Sequence, residues 1–271
     1  MRTWFPDMLM SVQFPVVFHL GPVGLPAHFV FESLAYLVGF RLYLYLRNRH
    51  GDSVDSDQRL LVITAAALGA ALGSKVLNWF TDPIRTLHNW HNPVYLMQGK
   101  TIIGGLIGGL FAVEAAKHFK GIKQRTGDLF AIPLAAGIAV GRIGCFLSGL
   151  DDDTYGIRTG LPWGVDFGDG IRRHPTQIYE IIGLAILGGL LLRVWKRPHR
   201  EGDVFKAFMI GYFGFRLVVD WIKPGVFVLG LTSLQWACAA MLVYYAPDLP
   251  YLFGFRKVPS YDRPASTLPL L

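Results

Sequence analysis

Charge is what this sequence has least of. Asp, Glu, Lys and Arg together make up 17% of its 271 residues, against about 25% in an ordinary soluble domain. A soluble fold of this size would need a more polar surface, so the shortage argues against a soluble globular protein. Cysteine is scarce too: Cys145 and Cys238 each sit inside an apolar run, so no disulfide framework is indicated, and the pair lacks metal-ligand spacing. Met1–Leu20 lacks the pattern of a cleavable signal peptide. Arg2 is its one basic residue, Asp7 is acidic, and Pro6 and Pro15 interrupt it. It is expected to be an extramembrane or interfacial lead-in. No polar block of domain size separates the apolar runs. No internal repeat of transporter type is visible, which disfavours an alternating-access carrier.

Apolar residues are what the sequence has instead, at 52%. A bilayer core about 30 Å thick needs about 20 mostly apolar residues per helix. On that ruler seven runs are candidate spans: Phe29–Leu46, Leu60–Phe80, Thr101–Ala116, Leu129–Leu147, Ile178–Leu192, Val204–Ile222 and Gly230–Tyr245. The expected fold is all-α, a polytopic membrane protein of about seven transmembrane helices. A long external loop, Ser148–Gln177, joins helices 4 and 5. The whole of 1–271 is expected to be one integral membrane domain: 1–28 the lead-in, 29–245 the helical bundle, 246–271 a cytoplasmic tail. Seven Trp, eleven Tyr and nineteen Phe suit a chain with rings at two membrane interfaces.

The net charge of +7 is a topology signal and not a nucleic-acid patch. With the N-terminus outside, the inside connections carry fourteen Lys and Arg and the outside segments seven, which by the positive-inside rule makes the C-terminal tail cytoplasmic. Small residues recur at helix-packing spacing in the pairs Gly105 and Gly109, Gly137 and Gly141, and Ala185 and Gly189.

Ionisable groups inside spans are costly and mark functional sites. Arg216 and Asp220 are four apart on the sixth span, so they share a face and can pair. Arg142 lies about one turn from the external end of the fourth. Two arginines near one surface make a seat for phosphate, because a guanidinium stays ionised and binds its oxygens in pairs. The plain alternative is that each Arg snorkels outward or neutralises a carboxylate. Glu32 in the first span and Glu180 at the head of the fifth are the carboxylates to weigh, with Thr176 as a candidate N-cap beside Glu180. His174, before Pro175 at the membrane face, is a candidate acid or base. Glu114 and His118 are expected to be interfacial. Cys145 is one turn from Arg142, which would favour a thiolate, but small apolar packing accounts for it more simply.

The runs Gly21-Pro22-Val23, Tyr36-Leu37-Val38-Gly39-Phe40, Gly104-Gly105-Leu106-Ile107-Gly108, Gly141-Arg142-Ile143-Gly144, Arg173-His174-Pro175-Thr176-Gln177-Ile178-Tyr179-Glu180 and Phe215-Arg216 occur in one order. In that order they resemble the bacterial prolipoprotein diacylglyceryl transferases, over about residues 15–245. The resemblance implies a seven-helix enzyme of the bacterial cytoplasmic (inner) membrane. It would move diacylglyceryl from phosphatidylglycerol to the lipobox cysteine thiol of a preprolipoprotein, releasing glycerol phosphate with no metal or soluble cofactor. By matching position, Arg142 and Arg216 would hold the lipid phosphate, and Gly144, His174, Gln177, Tyr179 and Glu180 would line or brace the outer mouth.

The chain also departs from the family's pattern. Ile103 stands where the family has His, Cys145 where it has Asn, Leu150 where it has Glu, and Asp220 where it has Glu; Glu32 stands near the place of the family's first-span Tyr. Glu32, His174 and Asp220 are therefore the catalytic candidates, with His28 and Asp151-Asp152-Asp153 as further sources of a base. Two alternatives stand beside this reading: a related phospholipid-dependent transferase with another acceptor, and a non-catalytic phospholipid-binding relative.

Overall fold

In a computed structural model the chain is described over residues 13–197 and 199–252. Its long helices are α1 (Ala27–His50), α2 (Ser56–Trp79), α5 (Ile102–Lys120), α6 (Asp128–Leu147), α7 (Thr176–Lys196), α8 (Asp203–Val219) and α9 (Ser233–Tyr245). Two short helices, α3 (Pro83–His88) and α4 (Pro93–Met97), lie between α2 and α5, and α10 (Leu249–Leu252) follows α9. Each of the seven expected runs is thus a helix, within a turn or so of the expected bounds. Helices are the economical answer here, since a helix satisfies its backbone polar groups internally where no water can.

Five of them, α1, α2, α5, α6 and α7, are long and apolar enough to cross a membrane. The other two fall short on length. At about 1.5 Å per residue, the 17 residues of α8 span only about 26 Å. A three-residue 3-10 turn, Asp220–Ile222, carries α8 on. The 13 residues of α9 are likewise extended by a 3-10 turn, Ala246–Asp248, and by α10. The reason α8 can be short is its position. Val204, Phe208, Met209, Tyr212 and Phe213 are completely buried among α5, α6, α7 and α9, so α8 meets protein where the outer helices meet solvent or lipid. On α1 and α2, by contrast, Phe29, Tyr36, Leu37, Phe40, Leu60, Leu68 and Leu72 are exposed apolar side chains.

Local chemistry starts and stops the helices. Asp55 accepts from the Gln58 N–H at the head of α2, and Thr101 from Gly104 N–H at the head of α5. Thr232 and Gln235 cap α9 reciprocally. Gly121 ends α5 at φ 66°, a backbone state glycine adopts without strain. Thr176, the expected cap of α7, does something else. The capping position is Pro175, and the Thr176 hydroxyl donates to the Thr154 carbonyl at 2.6 Å, tying α7 to the preceding connection.

Three two-stranded antiparallel hairpins gather at one end of the bundle, called here the hairpin end. They are β1–β2 (Val17–Leu20 with Val23–Pro26), β3–β4 (Val165–Asp166 with Arg172–Arg173) and β5–β6 (Phe227–Val228 with Leu231–Thr232). The expected lead-in therefore contains ordered β structure in its described part; its residues 1–12, and 253–271 of the expected tail, lie outside the described residues. The expected long loop holds β3–β4 and a 3-10 turn, Gly149–Asp152. At the opposite end Asp52 receives both Arg47 and Arg59, and Arg59 donates to the Thr126 carbonyl at 2.9 Å.

Glycines decide how the helices pair. Gly69 and Gly73 of α2 interlock with Gly104 and Gly108 of α5, and a methyl on any of the four would strike the opposite backbone. The expected pair, Gly105 and Gly109, is one position off; these two face Ala66 and Ala70 of α2 at looser contact. Gly137 and Gly141 pack on Ala35 of α1 as expected. Ala185 and Gly189 do not serve as a packing face: both are exposed, and nothing approaches Gly189. Packing α2 on α5 and α1 on α6 leaves a cleft between the two pairs.

Candidate active site

That cleft is a cavity of about 2260 Å³, well above the range of about 300–1,000 Å³ usual for drug-sized ligands. Its walls carry small residues, among them Ala35, Gly39, Ala66, Ala70, Gly105, Gly109, Gly137 and Gly141. At the hairpin end it turns polar, with His28, Glu32, Arg142, Cys145, Asp152, Arg216, Asp220 and Lys223.

Glu180 organises this end from behind the cavity wall. One oxygen, Oε2, lies 2.9 Å from Arg142 Nε and 3.5 Å from Arg216 Nη1. The other, Oε1, accepts from the Tyr212 hydroxyl at 2.6 Å. Arg216 also donates from Nη2 to Asp220 Oδ1 at 2.8 Å. All four charged groups are at most 6% exposed. Two guanidinium and two carboxylate groups balance, which is how such charges survive burial. The expected Arg216–Asp220 pair is formed. The plain alternative, in which the arginines neutralise carboxylates, is also realised, and through Glu180 it joins three helices. Arg216 Nε has no hydrogen-bond partner among the described residues, so donor capacity remains.

Tyr212 was not singled out from the sequence, although a signal existed. Tyr212, Arg216 and Asp220 recur every four residues and so share one face of α8. Lys223, three residues on, completes the polar end. It keeps some surface open to the cavity, yet burial together with the nearby Arg216 and Arg142 pushes its ammonium pKa down to about 7, against the opposing pull of Glu180 and Asp220.

Around the first helix a second polar set forms. Glu32 is tied to Lys100 and lies 3.4 Å from His28 Nε2. His28 Nδ1 faces Asp152 Oδ1 at 3.2 Å. Gly144 makes this possible: a side chain there would press on Phe31 and on the His28 backbone, so its absence lets α1 come close to α6. Gln177 is buried and braces the same region, donating to Thr154 Oγ1 at 3.1 Å, while that hydroxyl donates to Asp152 Oδ2 at 2.8 Å. Gly144 and Gln177 thus shape the site without lining the cavity.

His174 and Tyr179 sit elsewhere. His174 Nδ1 and the Tyr179 hydroxyl are 3.1 Å apart, and Trp163 Nε1 donates to the same hydroxyl at 2.7 Å. Neither residue lines the cavity. His174 pairs with Tyr179 and is not among the residues lining the cavity that Arg142 and Arg216 face.

At two of the departures from the family's pattern, packing replaces polarity. Ile103 is completely buried in the main core, and Leu150 packs on the Phe146, Val165 and Phe167 cluster. At another, Cys145 lines the cavity with its Sγ 3.5 Å from Arg142 Nη1.

Comparison with known proteins agrees with the resemblance. The family described as prolipoprotein diacylglyceryl transferase matches residues 15–246. The phosphatidylglycerol–prolipoprotein diacylglyceryl transferase of Cupriavidus pinatubonensis is 31% identical, across 96% of this chain and 99% of its own. That of Cupriavidus metallidurans is 32% identical over 87% and 92%, and that of Bordetella bronchiseptica 32% over 89% and 95%. A match spanning nearly all of the described helices, together with near end-to-end alignment to these transferases, places the chain in the prolipoprotein diacylglyceryl transferase family.

Proposed function

We propose that this chain transfers diacylglyceryl from phosphatidylglycerol to the lipobox cysteine thiol of a preprolipoprotein. It would do so as a single integral domain of the bacterial cytoplasmic membrane, with the N-terminus and the hairpin end outside and the C-terminus cytoplasmic. The observation that carries the reading is the pair Arg142 and Arg216, held by one carboxylate and facing a cavity of lipid dimensions. The headgroup phosphate binds at the arginines and the acyl chains lie along the small-residue walls between the helix pairs. The thiolate attacks the glyceryl carbon, a sulfur–carbon bond forms, and the carbon–oxygen bond to phosphate breaks. Glycerol phosphate leaves with the electron pair. Fixed guanidinium groups lower that barrier because the charge they meet grows as the bond breaks.

The thiol must lose its proton, and with Ile103 and Leu150 apolar, Lys223, which lines the polar end of the cavity, is the base this reading assigns. Arg216, Asp220, Arg142 and Glu180 are the charged groups around it. Because its pKa is depressed to about 7, the neutral, basic form grows as pH rises through 7, so the rate rises with pH there and then levels. In Lys223→Met the rising limb is expected to move up toward the thiol's own value, about 8.5. Superimposable pH–rate profiles would remove Lys223 as the base.

The function itself is tested with purified chain, phosphatidylglycerol labelled in its headgroup and a lipobox peptide bearing a free cysteine. Released glycerol phosphate with lipidated peptide is the expected result. Release without peptide modification would point to another acceptor, and no release with lipid retained to a binding protein.

A further inference from the structure

Three residues at the polar end converge although they are far apart in sequence. His28 comes from the first turn of α1, Cys145 from the last turn of α6 and Asp152 from the 3-10 turn after it. One nitrogen, one sulfur and one oxygen from these side chains lie within 4.8 Å of one another, and all three residues line the cavity.

The surroundings of His28 set the geometry between them. Its Nε2 is turned to the Glu32 carboxylate at 3.4 Å. An imidazole that donates there keeps its lone pair on Nδ1. That lone pair faces Asp152 Oδ1 at 3.2 Å, and Nδ1 completes no hydrogen bond. With a neutral imidazole, two acceptors this close repel unless a cation, whether a proton or a metal ion, lies between them. The separation is close to the roughly 3.3 Å between two ligands bound about 2.0–2.1 Å from one tetrahedral zinc ion. Asp152 is itself aimed, because Thr154 donates to its other oxygen and Gln177 donates to Thr154.

We propose that His28, Cys145 and Asp152 form a binding site for a divalent metal ion of the zinc class, with a fourth position open to the cavity. A thiolate, an imidazole and a carboxylate suit zinc and its neighbours and do not suit magnesium or calcium, which take oxygen ligands. Charge also balances. A thiolate and a carboxylate neutralise the dication, Glu32 is neutralised by Lys100, and Arg142 by Glu180. Glu32 then serves the outer shell, fixing the tautomer of His28. Spacing along the chain could not reveal this site, since its ligands stand at positions 28, 145 and 152.

The site's role rests on the transferase reading, whereas metal binding does not. A metal held by His28, Cys145 and Asp152 would favour an acceptor thiol as thiolate at the open position, and Lys223, which lines the same cavity, would take the proton. Coordination there would supply thiol activation that apolar Ile103 and Leu150 cannot.

The test uses the full chain in detergent, stripped with a chelator and titrated with Co²⁺ alone. One equivalent is expected to bind with a sulfur-to-cobalt charge-transfer band, and Zn²⁺ is expected to displace it. Cys145→Ser should lose that band, Asp152→Asn should lose stoichiometric binding, and Glu32→Gln should weaken binding by about 10–100-fold. No stoichiometric cobalt, or a thiolate band retained in Cys145→Ser, would overturn the site. Circular dichroism of each variant separates loss of a ligand from loss of fold. Stoichiometric metal without diacylglyceryl transfer would leave the site standing and count against the transferase reading.

Discussion

Glu180→Gln is expected to abolish transfer and to lower the stability of the folded chain by about 3–5 kcal/mol, the usual cost of leaving a buried charge uncompensated. The carboxylate serves Arg142, Arg216 and Tyr212 at once. An amide of the same shape cannot neutralise either arginine, and Asp220 can answer only for Arg216. Arg142 would then be a buried cation with no carboxylate among its described partners. Unfolding in a graded denaturing detergent, followed by circular dichroism, measures the loss. A change under about 1 kcal/mol would mean that Glu180 is not the keystone its contacts make it, since that is the scale of an ordinary hydrogen bond. Because its members come from α6, α7 and α8, the loss should show as a loosening of all three helices together.

Arg142→Ala is expected to act differently, with turnover falling by about 10²–10³-fold, as when one donor to a developing negative charge is removed. The fold should survive, since Glu180 keeps Arg216 and Tyr212 as partners. Arg142→Lys should recover only part of the rate, because an ammonium is a point charge without the paired donors of a guanidinium. A loss confined to KM would make Arg142 a headgroup anchor that binds substrate and transition state equally. Unchanged kcat and KM would remove the phosphate seat.

The two variants differ in what the sequence could say about them. Arg216 and Asp220 are four apart on one helix, so their pairing is a local property and was legible from spacing. Tyr212 belongs to the same ladder and could have been read with them. Arg142 and Glu180 sit on different helices, and nothing in their spacing says that they meet. His174 and Tyr179 stood beside Glu180 in a family-like run, yet only Glu180 turns toward the arginines, because successive residues at the head of α7 point in different directions. Thr176 had the chemistry of a cap and the position of a tie instead. The glycines of α5 repeat the lesson: two overlapping pairs were available, and the facing surface of α2 selected Gly104 and Gly108.

What the sequence determined by itself was the seven long helices and their approximate limits, the membrane class and the family, since apolar length, capping residues and short ordered motifs are all written contiguously. What only the tertiary structure decided was who faces whom: Glu180 between two arginines, Lys223 beside them, and His28, Cys145 and Asp152 around one point. Helices in lipid are not driven together by a hydrophobic stripe that can be read from periodicity. Their register is set by close backbone contact at glycines such as Gly69, Gly73, Gly104, Gly108 and Gly144, and that contact exists only once the partner helix is in place.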